Sequence, residues 1–558
     1  MKEDKIEKVL LIGLDGATFD IINPLLAQGK LPNIARFLTE GAHSECASTI
    51  IPCSPVAWNT CITGKNPGKH GIFGFLELNP KDCSLRIVNG SFRRAKPLWS
   101  FFDKDKKAVV VNVPFTSSPD KINGIFMPGW DAPDTAKEIV CPKDILKQVN
   151  KRFGGFFKDY SIGSFFNYRD AALVLKKLNL MTDNRLRLVK FLMDSYPWDF
   201  YMAVFSLTDM VQHYFWHCMD SRHPRYKDKG AENYREAIYE AYEKIDGIVG
   251  ALTKGLDENT NIVLVSDHGM GPMCLEQSGD CFKLDIWLVE NGFMQLKPKG
   301  YSAALWAFRN ILRRYLPCAV KERLKAVFLF YREKFVFDLY FSDIYWKATK
   351  AYTFVMPYPV YEIWINLKGR ERWGVVRPGK EYENLRDSLI EKLSQLEHPL
   401  TKKKLAKAVY RREELYSGSQ VLRAPDIIID WADDFFFSGV GASGAYKPSN
   451  FYDRRLTATH RENGIFIAKG RHIKRGVKLD GGVSLKDIAP TVLYLMGQKV
   501  PSGMDGKALK DIIREDFLKN NPVSYFDEAD APAEEKQSSY SNRQASIVED
   551  RLRALGYI

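Results

Sequence analysis

The stretch that most limits what this chain can fold into is Asn261-Ile-Val-Leu-Val-Ser-Asp-His-Gly-Met270. A continuous run of β-branched and aliphatic residues predicts a strand buried on both faces, as in a parallel sheet covered by helices. It ends in an acid and an imidazole side by side. The theme recurs: Val9-Leu-Leu-Ile-Gly-Leu-Asp15 closes an apolar run with a carboxylate. Tyr201-Met-Ala-Val-Phe-Ser-Leu-Thr-Asp209 nearly does so, with His213 four residues on, and His460 stands just before Gly464-Ile-Phe-Ile-Ala468. Open α/β sheets collect their ligands beyond the carboxyl ends of the strands, so Asp15, Asp209, Asp267 and His268 can converge on one crevice. Carboxylate and imidazole are the donors of hydrolytic Zn²⁺ or Mn²⁺ sites. A single strand-end acid equally well caps a turn or helix, and it is the repetition that favours a metal.

The elements between these runs predict an α/β fold. Phe19 to Ala27 and Leu31 to Gly41 read as helices, the second opened by Pro32 and stopped by Gly41. Ala108 to Pro114 reads as another buried strand, Ala171 to Asp194 and Asn233 to Lys254 as helical, and Ser484 to Gly497 as a closing helix. No internal repeat is present. The expected organisation is a catalytic core in three stretches, 1–131, 198–298 and 424–518. An insertion at 132–197 and a basic lid with a small α+β cap at 299–423 interrupt the core, and a flexible linker with a C-terminal helix follows at 519–558. Between Lys299 and Lys334 nine Lys/Arg and two Glu alternate with aromatic and aliphatic residues. That pattern suits a lid packed on the core or, alternatively, peripheral contact with an anionic membrane.

Composition narrows the class. The formal charge of +13 over 558 residues favours anionic partners, although surplus charge is also simply a solvated face. The nine cysteines are odd in number and lack a CxxC pair, which argues against a disulfide framework or zinc ribbon and for a reducing compartment. The charged start Met-Lys-Glu-Asp-Lys lacks an apolar signal region, and no apolar run approaches the ~20 residues of a membrane span. A cytoplasmic location is expected.

Asp209 and His213, four apart, share one face if a helix follows the strand, a spacing that suits two ligands of one ion but is also common in exposed helical pairs. His217 continues that face among Tyr214, Phe215 and Trp216 and is expected to pack or to support the ligands. Ser54, at the bend in Ile51-Pro-Cys-Ser-Pro-Val56, is the candidate nucleophile, because a serine needs a base or cation to become reactive and cation ligands lie elsewhere in the chain. Taken alone it would be a turn serine. Lys65 and Lys69 either add positive charge near a substrate or are solvated loop residues.

Asp15-Gly16, the Ser54 segment with Thr63-Gly64 and His70-Gly71-Ile72, Asp209-x-x-x-His213, Asp267-His268-Gly269 and His460 follow one another in an order that resembles the alkaline phosphatase superfamily. Within it the chain is most similar to the type I phosphodiesterase/nucleotide pyrophosphatase branch, of the large prokaryotic phosphohydrolase or phosphomutase type. The resemblance implies a three-layer sandwich around a mostly parallel sheet with inserted lid and cap regions. It also implies two divalent ions, zinc or manganese: Asp209, His213 and His460 on one, Asp15, Asp267 and His268 on the other, with Ser54 between them as nucleophile. The implied activity is hydrolysis of a phosphodiester or phosphomonoester through a phosphoserine. The implied substrate is a phosphorylated small molecule or a lipid or sugar phosphate, without specific nucleic-acid binding. A phosphomutase or phosphotransferase using the same serine, and a metal-stabilised protein that binds anions or membranes, are the alternatives. Ser54-Pro-Val-Ala-Trp58 departs from the threonine nucleophile and asparagine-bearing segment of the animal nucleotide pyrophosphatases, which leaves nucleotide specificity open. Cys53-Ser-Pro-Val-Ala57 also resembles a sulfatase motif, but Ala57 stands where that chemistry requires arginine.

Overall fold

The computed structural model describes residues 8–81, 84–117, 120–129, 131–132, 140–153, 171–273, 280–297, 344–353, 361–433, 436–437, 446–448 and 456–528, with Ala545, Val548, Glu549 and Leu552. The basic stretch 299–334 lies outside these residues.

Nine strands form the central sheet. Its path runs Val477–Lys478, Ala42–Ala47, Asn463–Lys469, Thr260–Val265, Lys8–Leu14, Phe200–Phe205, Ala108–Val113, Gly124–Pro128, with Val483–Ser484 also paired to Ala42–Ala47. From Thr260–Val265 to Gly124–Pro128 all pairings are parallel, whereas Asn463–Lys469 runs antiparallel to both of its neighbours. The apolar runs explain this. Leu10, Ile12 and Leu14 pack into one core while Val9 and Leu11 pack into a second on the opposite face. A strand buried on both sides cannot alternate with polar residues, which is why it reads as an unbroken hydrophobic run. Helices Phe19–Ala27, Pro32–Glu40, Ala171–Ser195, Leu207–Met219 and Ala237–Thr253 cover the first face, and Ser54–Thr63 and Ile488–Leu495 the second. The result is the expected mixed α/β architecture with a large, mostly parallel sheet between helical layers.

Two glycines let the layers approach. A Cβ on Gly13 would lie 2.5 Å from the Trp58 ring, and one on Gly16, whose φ is +67°, would meet the Asp209 backbone at 2.9 Å. The turn after Asp15 can therefore bring the Asp209 helix against it only with glycine there. Helix Pro32–Glu40 has no cap of its own at Leu31, and Asp246 on a neighbouring helix supplies one, accepting from Ile34 N at 2.7 Å and Asn33 N at 3.2 Å. Asp246 is 2% exposed, so Asp246→Ala takes the acceptor from the buried Ile34 N–H and the half-buried Asn33 N–H. A destabilisation of about 1–3 kcal/mol is expected, read as a lower urea midpoint with catalysis intact below it.

The cap is a separate small sheet, Ala351–Tyr352, Glu362–Ile365, Ile427–Trp431, Ala406–Arg411, backed by helix Lys380–Ser394 around its own apolar core. Ile427–Trp431 belongs to this sheet, pairing with Glu362–Ile365 and Ala406–Arg411 and packing Ile427, Ile429 and Trp431 into the cap core while Ile428 faces the main one. The last core stretch thus resumes after the cap rather than at residue 424. The expected linker also begins later than residue 519: Tyr525–Phe526 pairs with Val500–Pro501, and beyond it the helical Val548 and Leu552 are wholly buried in the first core. Among the described residues no helix is long and apolar enough to cross a membrane, and Cys46, Cys53, Cys61, Cys141 and Cys218 are free thiols.

Candidate metal centre

Three neighbouring strands end at one place. Asp15 follows Lys8–Leu14, Asp209 sits in the first turn of the helix after Phe200–Phe205, and Asp267-His268 follows Thr260–Val265. Backbone and side-chain bonds knit these ends together: Asp15 N donates to Phe205 O at 3.0 Å, Gly16 N to Asp267 Oδ1 at 3.3 Å, and Thr208 Oγ1 to Asp15 O at 2.5 Å. His460 arrives from the far end of the chain. It lies in strand Ala458–Arg461, opposite Met270 of Gly269–Pro272 in an antiparallel pair, and is 2% exposed. The polar sequence around it suggests a surface loop, but the pairing turns the imidazole inward.

Two buried groups result, Asp209 with His213 and His460, and Asp15 with Asp267 and His268, each with its potential ligand atoms within 4.8 Å of one another. In the first, His213 Nε2 and His460 Nε2 lie 3.2 and 3.3 Å from Asp209 Oδ1 and 3.1 Å from each other. In the second, His268 Nε2 lies 3.3 Å from Asp267 Oδ2 and 3.6 Å from Asp15 Oδ1. The His268 and His460 rings stack at 3.6 Å, so the two groups share a wall. Ser54 is the first residue of helix Ser54–Thr63, is 1% exposed, and sets its Oγ 3.5 Å from His268 Nε2.

The imidazoles are oriented alike. Nδ1 lies 2.8 Å from Ala458 O in His213, 2.7 Å from Pro52 O in His460, and 3.0 Å from Gly269 O in His268. A carbonyl can only accept, so each Nδ1 carries a proton, and each ring would offer an Nε2 lone pair to a cation in the centre. Two such lone pairs 3.1 Å apart repel unless a cation or proton lies between them. The carboxylates make the same demand: among the described residues, nothing donates to the buried Asp15 Oδ1 or Asp267 Oδ2. Burial, followed by the charges of Asp267 and Asp209, holds Asp15 well above the usual carboxylate range, and burial with Asp209 pushes Asp267 up to about 8. Burial opposes ionisation of Asp209 too, but His213 and His460 outweigh it and hold that acid low. Burial, then the neighbouring His268, pushes His460 down to about 3. Three clustered buried acids and three imidazoles with their Nε2 atoms turned inward fit divalent cations.

The supporting residues carry no motif and were not legible beforehand. Gln212 donates to Gly16 O at 2.8 Å and is itself held by Tyr242 Oη at 3.2 Å, while Ser48 Oγ donates to Asp267 O at 2.6 Å. Other candidates stand apart. His217 joins neither group and packs beside His223 with ring centroids 6.0 Å apart. Lys65 pairs with Glu528 at 2.7 Å and Lys69 with Asp505 at 2.5 Å, so neither is a loosely solvated loop lysine. His70, wholly buried, bonds Thr60 Oγ1 at 3.0 Å.

The sequence pattern of the type I phosphodiesterase / nucleotide pyrophosphatase family matches residues 9–450. No curated protein sequence matches the chain. Among solved structures it is similar to human ectonucleotide pyrophosphatase/phosphodiesterase 5, at 13% identity and a TM-score of 0.49 over 91% of this chain and 100% of that one. An inactive murine form of the same protein in complex with AMP gives 15% identity and 0.48, again over 91% and 100%. Phosphonoacetate hydrolase from Sinorhizobium meliloti in complex with phosphonoformate gives 14% and 0.48, over 88% of this chain and 95% of that one.

Proposed function

Because the chain belongs to the type I phosphodiesterase / nucleotide pyrophosphatase family and is a metal-dependent phosphoric ester hydrolase, we propose that it cleaves phosphodiester or phosphomonoester bonds of a phosphorylated small molecule through a phosphoserine at Ser54. The observation that supports this reading is Ser54 Oγ lying beside His268 of one ligand group, whose ring stacks on His460 of the other. In the reaction Ser54 Oγ bonds to phosphorus as the bond from phosphorus to the ester oxygen breaks, and the proton lost from Ser54 ends on the departing alcohol. Water then attacks the phosphoseryl phosphorus, the bond to Ser54 Oγ breaks, and one proton of that water passes to Ser54 as phosphate or a phosphomonoester departs.

Divalent ions held by Asp209, His213 and His460 and by Asp15, Asp267 and His268 would supply charge stabilisation to the entering and leaving oxygens. Zinc suits this donor set best, with manganese as the second choice. The chain contributes the rest. The amino end of helix Ser54–Thr63 carries partial positive charge that favours a developing alkoxide at Ser54. The three carbonyls at Nδ1 fix the tautomers, and the buried setting keeps bulk water off the serine. A cytoplasmic location, with reduced thiols, is part of the same reading.

Protein purified without chelator is expected to hold about two equivalents of divalent ion by elemental analysis. It should turn over bis-p-nitrophenyl phosphate or p-nitrophenyl phosphate, lose that activity in chelator, and regain it with zinc or manganese. Activity that survives chelation with no metal bound would reject the proposal.

A further inference from the structure

The cap carries an acidic side chain to the turn that holds Ser54. Tyr361, just before strand Glu362–Ile365, packs against both the main core and the cap core, which places the start of that strand at the seam between them. Glu362 pairs with Ile428 on the neighbouring strand, and its backbone carbonyl accepts from Thr353 Oγ1 at 2.6 Å. From there its carboxylate meets the segment that follows His70-Gly71-Ile72: a Cβ added to Gly74 would lie 3.4 Å from Glu362 Oε1. Its charge also reaches Cys53, the residue before Ser54, whose thiol is pushed up by burial first and by Glu362 as well.

Glu362 has no counter-charge. Among the described residues no lysine, arginine or histidine pairs with it, whereas Glu77, three residues after Gly74, pairs with Arg423, and Glu371 in the cap pairs with Arg370 at 2.8 Å. Burial pushes the Glu362 carboxyl up to about 7, opposed by the Trp364 indole N–H. A carboxylate drawn out of water without a cation is destabilised, and a cation brought in by a ligand restores it. The side chain is half-buried, so a solute in the seam has access to it. Phe73, next to Gly74 and also half-buried, has its ring centroid 5.5 Å from that of Tyr416, whose phenol the Glu362 charge also reaches.

This setting selects among ligands. A phosphate oxygen is repelled by the carboxylate, so Glu362 faces the alcohol part of an ester and not its phosphoryl group. A neutral hydroxyl would bond to it and leave its charge unmatched. An ammonium group matches the charge, and the positively polarised C–H groups around it suit the Phe73 and Tyr416 rings. We propose that Glu362 receives an ammonium group on the alcohol part of the ester attacked at Ser54, so that the enzyme selects phosphoesters of amino alcohols. The inference rests on the phosphohydrolase reading above and adds the substrate class.

The test uses the metal-loaded full chain as wild type, as Glu362→Gln, which keeps the shape and removes the charge, and as Glu362→Asp, which keeps the charge. Phosphocholine is compared with neohexyl phosphate, its uncharged carbon isostere, and with p-nitrophenyl phosphate. Metal content and melting temperature report that each variant is folded. Wild type should favour phosphocholine over neohexyl phosphate at least about tenfold in kcat/KM, chiefly through KM, because the two esters differ only in the charge that Glu362 meets. Glu362→Gln should bring that ratio to within about twofold of one, and Glu362→Asp should keep part of it. A preference that survives in folded Glu362→Gln overturns the proposal. A wild type that does not distinguish the two esters overturns it without recourse to any variant. So does a wild type that hydrolyses p-nitrophenyl phosphate but neither of the other two, an outcome that leaves the phosphohydrolase reading standing. Failure to hydrolyse any ester would remove that reading and this one with it.

Discussion

Ser54→Ala is expected to lower turnover of a phosphodiester on the order of a thousandfold or more while leaving the fold and the metal content in place. The six Asp and His side chains are untouched, and Ser54 makes no bond on which the helix depends: it opens Ser54–Thr63, whose first turn is held by Val56 N and Ala57 N on Cys53 O. Only the attacking oxygen is gone. The loss should not reach the uncatalysed rate, because the site still binds and polarises the phosphoryl group, and a water can occupy the space of the hydroxyl. Cys53→Ala is the matched control. Its thiol is 2% exposed and packs in the core on the helix side of the sheet, so that change should cost some stability and little turnover. Wild-type turnover by Ser54→Ala, or a trapped phosphoryl group mapped by mass spectrometry to another residue, would remove Ser54 from the mechanism.

How much of this could be read from the sequence follows from what each signal measures. The strands that lead to Asp15, Asp209 and Asp267 were legible because burial on both faces leaves an unbroken apolar run. Helix Phe19–Ala27 has the expected bounds, and Thr18 caps it, accepting from Asp20 N at 3.2 Å. Residues whose role depends on partners distant in sequence were not. Asp246 caps a helix more than two hundred residues earlier, Gln212 braces the Asp15 turn, and Glu528 takes Lys65 out of the solvent. The cap boundary was misplaced because Ile427–Trp431 carries the same apolar pattern as a core strand, and the pattern does not say which sheet it joins.

His460 lies between these cases, and it makes the second large expectation. Nothing in Thr457-Ala-Thr-His-Arg-Glu-Asn463 apart from its place in a resembling order distinguishes it from a surface histidine. In the folded chain it contacts both ligand groups, through Asp209 at 3.3 Å and through the His268 ring at 3.6 Å. Removing a partner that merely orients a ligand typically lowers affinity or activity 10–100-fold, so removing the ligand itself should reach at least the upper end of that range. His460→Ala is therefore expected to lose about one equivalent of metal and to lower kcat at least about a hundredfold. The vacated space beside His268 would also loosen the second group, so added zinc should restore the activity only in part. His217→Ala, which alters a histidine packed outside both groups, should keep both ions and most of the activity. If His460→Ala binds two ions and turns over at the wild-type rate, its inward imidazole is a packing feature, and the group around Asp209 and His213 must be completed by another residue.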